Sequence, residues 1–352
     1  MGVLVALLSI FLTSPSNRTQ IEIPPEKIRI ATFKDMEEIN KIPVYPYGVH
    51  GVSLNFNDNK QLIAYGKSSG TASDSIDANA FVVYDLRSNS IIKIFKENNW
   101  DFTISFYNNY KNIAYSCNGI LHILDRNFNE ISKIDTGGYI SEFIISRKET
   151  VLVVHSLESN TIRSYELKNN LKLISSYELL DKIDTQNTNL DISRSENLVA
   201  ISGGYEKNFV YIYSIHKGFV KKLTTSSKSG SYSPLFYNND QNILVGSGYG
   251  SGVIDLIEIE SGIINKTINA FENYVYKLKL SSDDRFLFTG GYDQIIKVYD
   301  TWSWLPLKTY DLSHSGVIND IVLDEKQSIL VTGSNASGSK TNGLIVWKVI
   351  YK

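Results

Sequence analysis

The sequence predicts an all-β chain, a seven-bladed β-propeller whose last blade is closed by an N-terminal strand. Three observations predict it. A short strand with an aromatic or acidic ending recurs seven times, the recurrence is blade-sized, and a spare strand precedes the first repeat while the last repeat lacks one. The endings read Phe81-Val-Val-Tyr-Asp85, Leu121-His-Ile-Leu-Asp125, Ile162-Arg-Ser-Tyr-Glu166, Val210-Tyr-Ile-Tyr-Ser214, Ile254-Asp-Leu-Ile-Glu258, Ile296-Lys-Val-Tyr-Asp300 and Leu344-Ile-Val-Trp-Lys348. Their last positions are separated by 40, 41, 48, 44, 42 and 48 residues. One propeller blade takes about 40–45 residues.

Each repeat divides the same way. In blade six, Val275-Tyr-Lys-Leu-Lys-Leu-Ser281 alternates with period two, as a half-buried strand does. Ser282-Asp-Asp284 makes a turn, and Arg285-Phe-Leu-Phe-Thr-Gly290 forms the second strand. Gly291-Tyr-Asp293 turns again, and residues 294–300 return. Leu307-Lys-Thr-Tyr310 supplies the outer strand, whose alternation with polar residues suits a solvent edge. Second strands such as Gln61-Leu-Ile-Ala-Tyr65 and Val151-Leu-Val-Val154 are near-continuous apolar runs, the pattern of strands buried on both faces. The last blade stops at Val349-Ile-Tyr-Lys352 without an outer strand. Lys27-Ile-Arg-Ile-Ala-Thr-Phe33 is the spare strand expected to complete it, removing an exposed edge. The domain division is therefore residues 1–26, an N-terminal apolar segment and linker, and residues 27–352, the propeller.

Composition narrows the function classes. The 352 residues are 42% hydrophobic, enough for a large core. A formal charge of −2 and the absence of any Lys/Arg run argue against nucleic acid as a partner, which requires clustered cations. The single cysteine, Cys117, precludes an internal disulfide and reads as a small buried hydrophobe. Val3 to Leu12 is an apolar stretch of signal-peptide length, too short to span a bilayer, and Ser14-Pro15-Ser16 offers small residues for cleavage. Its flank lacks Lys and Arg, so a plain apolar N-terminus packed on the domain stays open beside the preferred secretory reading, and localisation is unassigned. Asn17-Arg-Thr19, Asn265-Lys-Thr267 and Asn335-Ala-Ser337 fit the glycosylation pattern.

Catalytic chemistry is sparse. Gly66-Lys-Ser68 ends like a phosphate-binding loop, but Gln61 occupies the position of the required earlier glycine and no helix follows. None of His50, His122, His155, His216 and His314 stands at metal-ligand spacing from another. Asp85, Asp125 and Asp300 recur with the repeat and so belong to the scaffold. No cofactor is expected.

Gly290-Gly-Tyr-Asp-Gln-Ile-Ile-Lys-Val-Tyr-Asp300 resembles the core of a WD40 repeat, with Tyr299 where that family carries Trp. Gly333-Ser334 and Val346-Trp347 give a second, weaker match. The family's Gly-His dipeptide is missing from every repeat, so the resemblance implies a propeller in which the family's buried Asp-His-Ser/Thr-Trp network is mostly lost.

Function on a repeat scaffold sits where the pattern breaks. The turn between second and third strands lengthens in blade one (residues 67–80) and blade seven (residues 333–343). The link over residues 34–48 carries Tyr45 and Tyr47, with His50 just beyond. By the resemblance these three loops share one face, and neighbouring blades bring them together as a recognition surface. Trp302 and Trp304 occupy the hairpin before the outer strand of blade six, on the opposite face, where either can anchor a partner or pack on its own blade. These features imply a non-catalytic scaffold holding one or more protein partners. The alternative is a secreted or periplasmic propeller enzyme or ligand binder working at the central channel. Unpaired carboxylates or histidines converging in the channel would favour the enzyme; small and apolar lining would favour the scaffold.

Overall fold

The computed structural model describes residues 32–351 except 45–47, 58–59, 69–78, 97–102, 108–110, 169–170, 184–188, 203, 206, 249, 313–315 and 336–342. The described residues form seven small antiparallel sheets and no helix. In six of the sheets the strands run in chain order from the channel to the rim, and in blade seven the rim strand comes from the N-terminal side of the chain. The inner strands are Gly48–Asn57, Ile104–Tyr107, Ile140–Ile145, Leu190–Ile192, Gly230–Tyr237, Val275–Leu280 and Val317–Asp324. The second strands of blades two, three and six are buried at every position, because each is covered by a neighbouring blade on both faces. Blade five gains a fifth strand: Gly204–Tyr205, from the long turn of blade four, pairs with Gly230 and Ser231.

The ring closes with an N-terminal strand, but not over residues 27–33. The closing strand is Phe33–Pro43, antiparallel to Gly343–Tyr351 from Phe33↔Tyr351 to Pro43↔Gly343. Of the expected strand it keeps only Phe33; residues 27–31 lie outside the described residues. Two register shifts, at Phe33/Asp35 and Glu38/Asn40, break its alternation, so its buried side chains Phe33, Met36 and Ile42 carry no period of two. Its remaining residues are charged enough to serve as a rim edge. The link expected over 34–48 shrinks accordingly to residues 44–47. Blade six grips this strand at one point. The Tyr310 hydroxyl donates to Asp35 Oδ1 (2.7 Å) and accepts the Met36 amide (2.7 Å), and Lys308 lies 3.3 Å from Asp35 Oδ2.

The hydrophobic core is not one cluster but seven, one at each blade interface. Phe286, Phe288, Leu330 and Trp347 fill the seam between blades six and seven, for example, and Ile63, Tyr65, Val331 and Val346 that between seven and one. Two belts of hydrogen bonds reinforce these seams. Around the channel a side chain on one inner strand accepts an amide of the next blade. Ser53 takes Phe106 (2.9 Å), Glu142 takes Leu190 (2.6 Å), Asp191 takes Phe236 (2.7 Å), Ser233 takes Leu278 (2.9 Å) and Asp320 takes Val52 (2.6 Å). The second belt runs the other way, through the turns between first and second strands. Asp240 accepts the amides of Arg194 and Ser195 (2.8 and 2.9 Å), Asp284 accepts that of Asn238 (3.2 Å), and Glu325 accepts both the amide and the hydroxyl of Ser282. Such links satisfy backbone donors that sheet pairing leaves over at the inner edge.

Candidate functional site: the central channel and its mouths

Each inner strand brings a polar residue near mid-length to the channel lining: Ser53, Ser105, Glu142, Asp191, Ser233, Lys277 and Asp320. These line a channel cavity of about 600 Å³. Where most blades use a residue that accepts an amide, blade six presents Lys277, a donor only. Its ammonium instead lies 4.0 Å from Glu142 Oε1 and 3.8 Å from Asp320 Oδ1, joining blades three, six and seven across the lumen. Burial pushes the Glu142 carboxyl up to about 7, against the opposing pull of Lys277 and the Leu190 amide. Burial likewise pushes Asp191 up to about 6, against the Phe236 amide, Arg147 and Lys279. Lys277 is held above its usual range because the attraction of Asp320 and Glu142 outweighs its own burial.

One nucleophile–base pair faces this space. Ser141 Oγ lies 2.5 Å from His155 Nδ1. The imidazole is fully buried and burial alone takes its pKa down to about 3. Its Nε2 meets no partner among the described residues, so no carboxylate stands behind it to stabilise an imidazolium. A base that resists protonation so strongly does not activate a serine near neutral pH. His122 is also structural, stacked on Tyr115 at 4.8 Å and bonded to Glu130 at 2.6 Å. Cys117 is buried. Among the described residues no group of three His, Cys, Asp or Glu side chains is placed to hold a metal, and no helix is long and apolar enough to cross a membrane.

The channel thus matches neither of the two expectations for it. It is charged rather than small and apolar, but its carboxylates are tied to amides and to Lys277 rather than unpaired. The sequence pointed elsewhere. Tyr45 and Tyr47 lie outside the described residues, and His50 is placed through its backbone, paired with Gly66. The strand ends that frame the three long loops do meet: Pro43 faces Gly343, Gly48 faces Ser68, and the Asn335 side chain abuts Gly48.

At the other face the two tryptophans separate. Trp302 is 72% exposed and lies under the Arg285 guanidinium, 3.5 Å from the ring centroid. Trp304 turns inward, edge-on to Tyr237 of the preceding blade at 5.5 Å and packed against the seam between blades five and six. A third feature, unremarked in the sequence, is a tyrosine cluster at the channel mouth. Tyr274 and Tyr276 stack at 5.0 Å, Tyr232 meets both edge-on, and half-exposed Tyr292 leans on Tyr274. The signal for the channel was present in the sequence: Glu142 and Lys277 break a series otherwise made of Ser and Asp. Finding it required the inner strands to be aligned residue by residue.

Seven four- and five-stranded sheets about one channel define a β-propeller. Residues 263–300, which run from the rim of blade five through most of blade six, match the family model described as WD domain, G-beta repeat. With the fold, that match makes the chain a WD40-like propeller. No curated protein matches it. Blade seven retains part of the network implied by the resemblance, since Trp347 Nε1 donates to Thr332 Oγ1 at 3.2 Å. In blade six, where Tyr299 stands in place of Trp, that bond is not made, and Thr289 Oγ1, at the equivalent position, is buried with no partner among the described residues. Asp293 there accepts the amides of Glu272 and Asn273 (2.6 and 3.4 Å), holding the incoming loop without a histidine.

Proposed function

We propose that this chain is a non-catalytic interaction scaffold that holds one or more protein partners, as WD40-like propellers commonly do. The observation that carries the reading is the state of the channel chemistry. The carboxylates Glu142, Asp191 and Asp320 each tie one blade to the next, and the Ser141–His155 pair found among the described residues has a base that stays neutral. Near-neutral net charge supports protein over nucleic acid as the partner class. Tyr45, Tyr47 and His50 on one face, and Trp302 on the other, are the proposed contact residues. Trp304 is the weaker candidate because its ring is engaged with Tyr237.

The test is recovery of co-purifying proteins by the tagged chain, compared among wild type, Tyr45→Ala/Tyr47→Ala and Trp302→Ala. Loss of a specific partner in one variant, with an unchanged melting curve, supports the scaffold and selects the face. An aromatic anchor is worth roughly 1–3 kcal/mol of binding. Recovery of the same proteins by all three and by an unrelated propeller would count against it.

A further inference from the structure

Each blade ends in an outer strand whose far edge meets no other strand among the described residues, and such an edge offers backbone N–H and C=O groups to any extended chain. The outer strand of blade one, Ser90–Lys96, stands apart from the rest. It leaves three isoleucines in solvent, Ile91 at 52%, Ile92 at 46% and Ile94 at 43% exposure, where no other outer strand leaves more than two large apolar side chains exposed among the described residues. Blade six sets Pro306, which has no N–H to donate, between its two, Leu305 and Leu307. Pairing with the strand inside it fixes the face that each side chain of Ser90–Lys96 takes. Ile91 lies opposite Tyr84 and Ile94 opposite Val82, so both stand on the side of the seam with blade seven. A slip of register between Val83 and Tyr84 is what brings them to one face three residues apart. Lys93 lies opposite Val83 and Phe95 opposite Phe81, on the side of the seam with blade two. Lys93 is exposed, its ammonium is 5.5 Å from the Phe95 ring centroid, and it makes no ion pair with a described residue. Ser90–Lys96 itself contains no carboxylate.

We propose that this edge binds an extended acidic segment of a partner protein by strand addition. The segment pairs its backbone with Ser90–Lys96, lays aliphatic side chains on Ile91 and Ile94, and sets a carboxylate beside Lys93. In this mode main-chain hydrogen bonds hold the segment and its alternate side chains give the selectivity. Charge complementarity chooses the acidic segment. A basic one would place like charges side by side on the Lys93 face, and like cross-strand pairs are destabilising. A second copy pairing antiparallel about the middle of the same strand would set Lys93 against Lys93, so the edge is poorly made to be its own partner. The contact gives the scaffold reading one partner chemistry, yet it uses none of Tyr45, Tyr47, His50 and Trp302, so the two stand or fall separately.

The test uses the full-length chain and a fluorescent peptide of the strand's length that alternates valine with glutamate. Fluorescence anisotropy reads binding, and light scattering reads the oligomeric state without peptide. Saturable binding is expected, weakened at least about tenfold by Ile91→Thr/Ile94→Thr, which keeps strand-forming residues and removes the aliphatic contact. A version of the peptide with proline at alternate positions lacks the N–H groups that pair and should not bind. Lys93→Glu should reverse the preference toward a peptide alternating valine with lysine. Leu173→Thr, at an exposed leucine on the outer strand of blade three, should bind as wild type does. All these positions are exposed, and the melting curve checks that each variant keeps the fold. No saturable binding, undiminished binding by the isoleucine variant, or an unchanged preference in Lys93→Glu overturns the proposal. So does a wild-type dimer that Ile91→Thr/Ile94→Thr dissolves, since the edge would then belong to a second copy.

Discussion

Glu142 binds its proton more readily in the folded chain than outside it, and this sets a direction for stability against pH. Its pKa rises from 4.5 to about 7 and that of Asp191 from 3.8 to about 6. Groups raised in this way contribute stability that is present below their ordinary values and lost as pH climbs through the folded ones. Glu142 and Asp191 therefore raise stability as pH is lowered from 8 to 5, whereas buried His155, taken from 6.5 down to about 3, lowers it over the same window; the melting temperature of wild type relative to Glu142→Gln should accordingly rise as pH falls from 8 to 5. A Glu142→Gln profile parallel to that of wild type over this window would contradict the assignment. Carboxylates shifted the other way, among them Asp35 and Asp181, hold their contribution until the pH drops below their ordinary range, outside this window. The tryptophans give a second contrast at the same scale. Trp304→Ala should cost about 3 kcal/mol by opening the seam beside Tyr237, whereas exposed Trp302→Ala should leave the denaturation midpoint within about 0.5 kcal/mol of wild type. Chemical denaturation of both variants decides this.

The strands were the most legible elements, because a second strand buried on both faces is an unbroken apolar run and seven of them recur at blade spacing. The closing strand was legible in existence and not in place. Residues 27–33 alternate cleanly, while Phe33–Pro43 hides its buried set behind two bulges. A pair of truncations separates the two. Removing residues 1–31 should leave the melting curve nearly unchanged. Removing residues 1–43 takes away the partner of Gly343–Tyr351 and the Asp35–Tyr310 contact, so the last blade should expose an edge and the protein should associate or melt markedly lower. Equal loss in both would return the closing role to the earlier segment. The pairing of the channel charges was illegible for a different reason. Periodicity says that inner strands present polar side chains to the lumen, but which ones face each other across it follows only from the ring.

At the scale of the whole molecule, seven seams replace a single core, and the belts make each seam depend on its neighbours. Blade seven holds the seam where the two ends of the chain meet, and Asp320 ties it to Val52. Asp320→Ala leaves that buried amide unpaired and removes one of the two partners of Lys277. The expected cost is about 3 kcal/mol, and Asp320→Asn, which keeps an acceptor, should recover part of it by the same denaturation measurement.

The pairing of Phe33 with Tyr351 also sets a clock. A ribosome adds about 5–20 residues per second, so the first strand of the closing pair waits roughly 15–60 s for its mate to be made. Throughout that interval the nascent chain carries an unmatched strand ahead of a growing stack of blades. The early blades can form locally, but the circle cannot shut until Gly343–Tyr351 has been made. Its most vulnerable moment thus falls during its own synthesis, and slow translation or a shortage of holding chaperones should harm its yield more than its final stability would indicate.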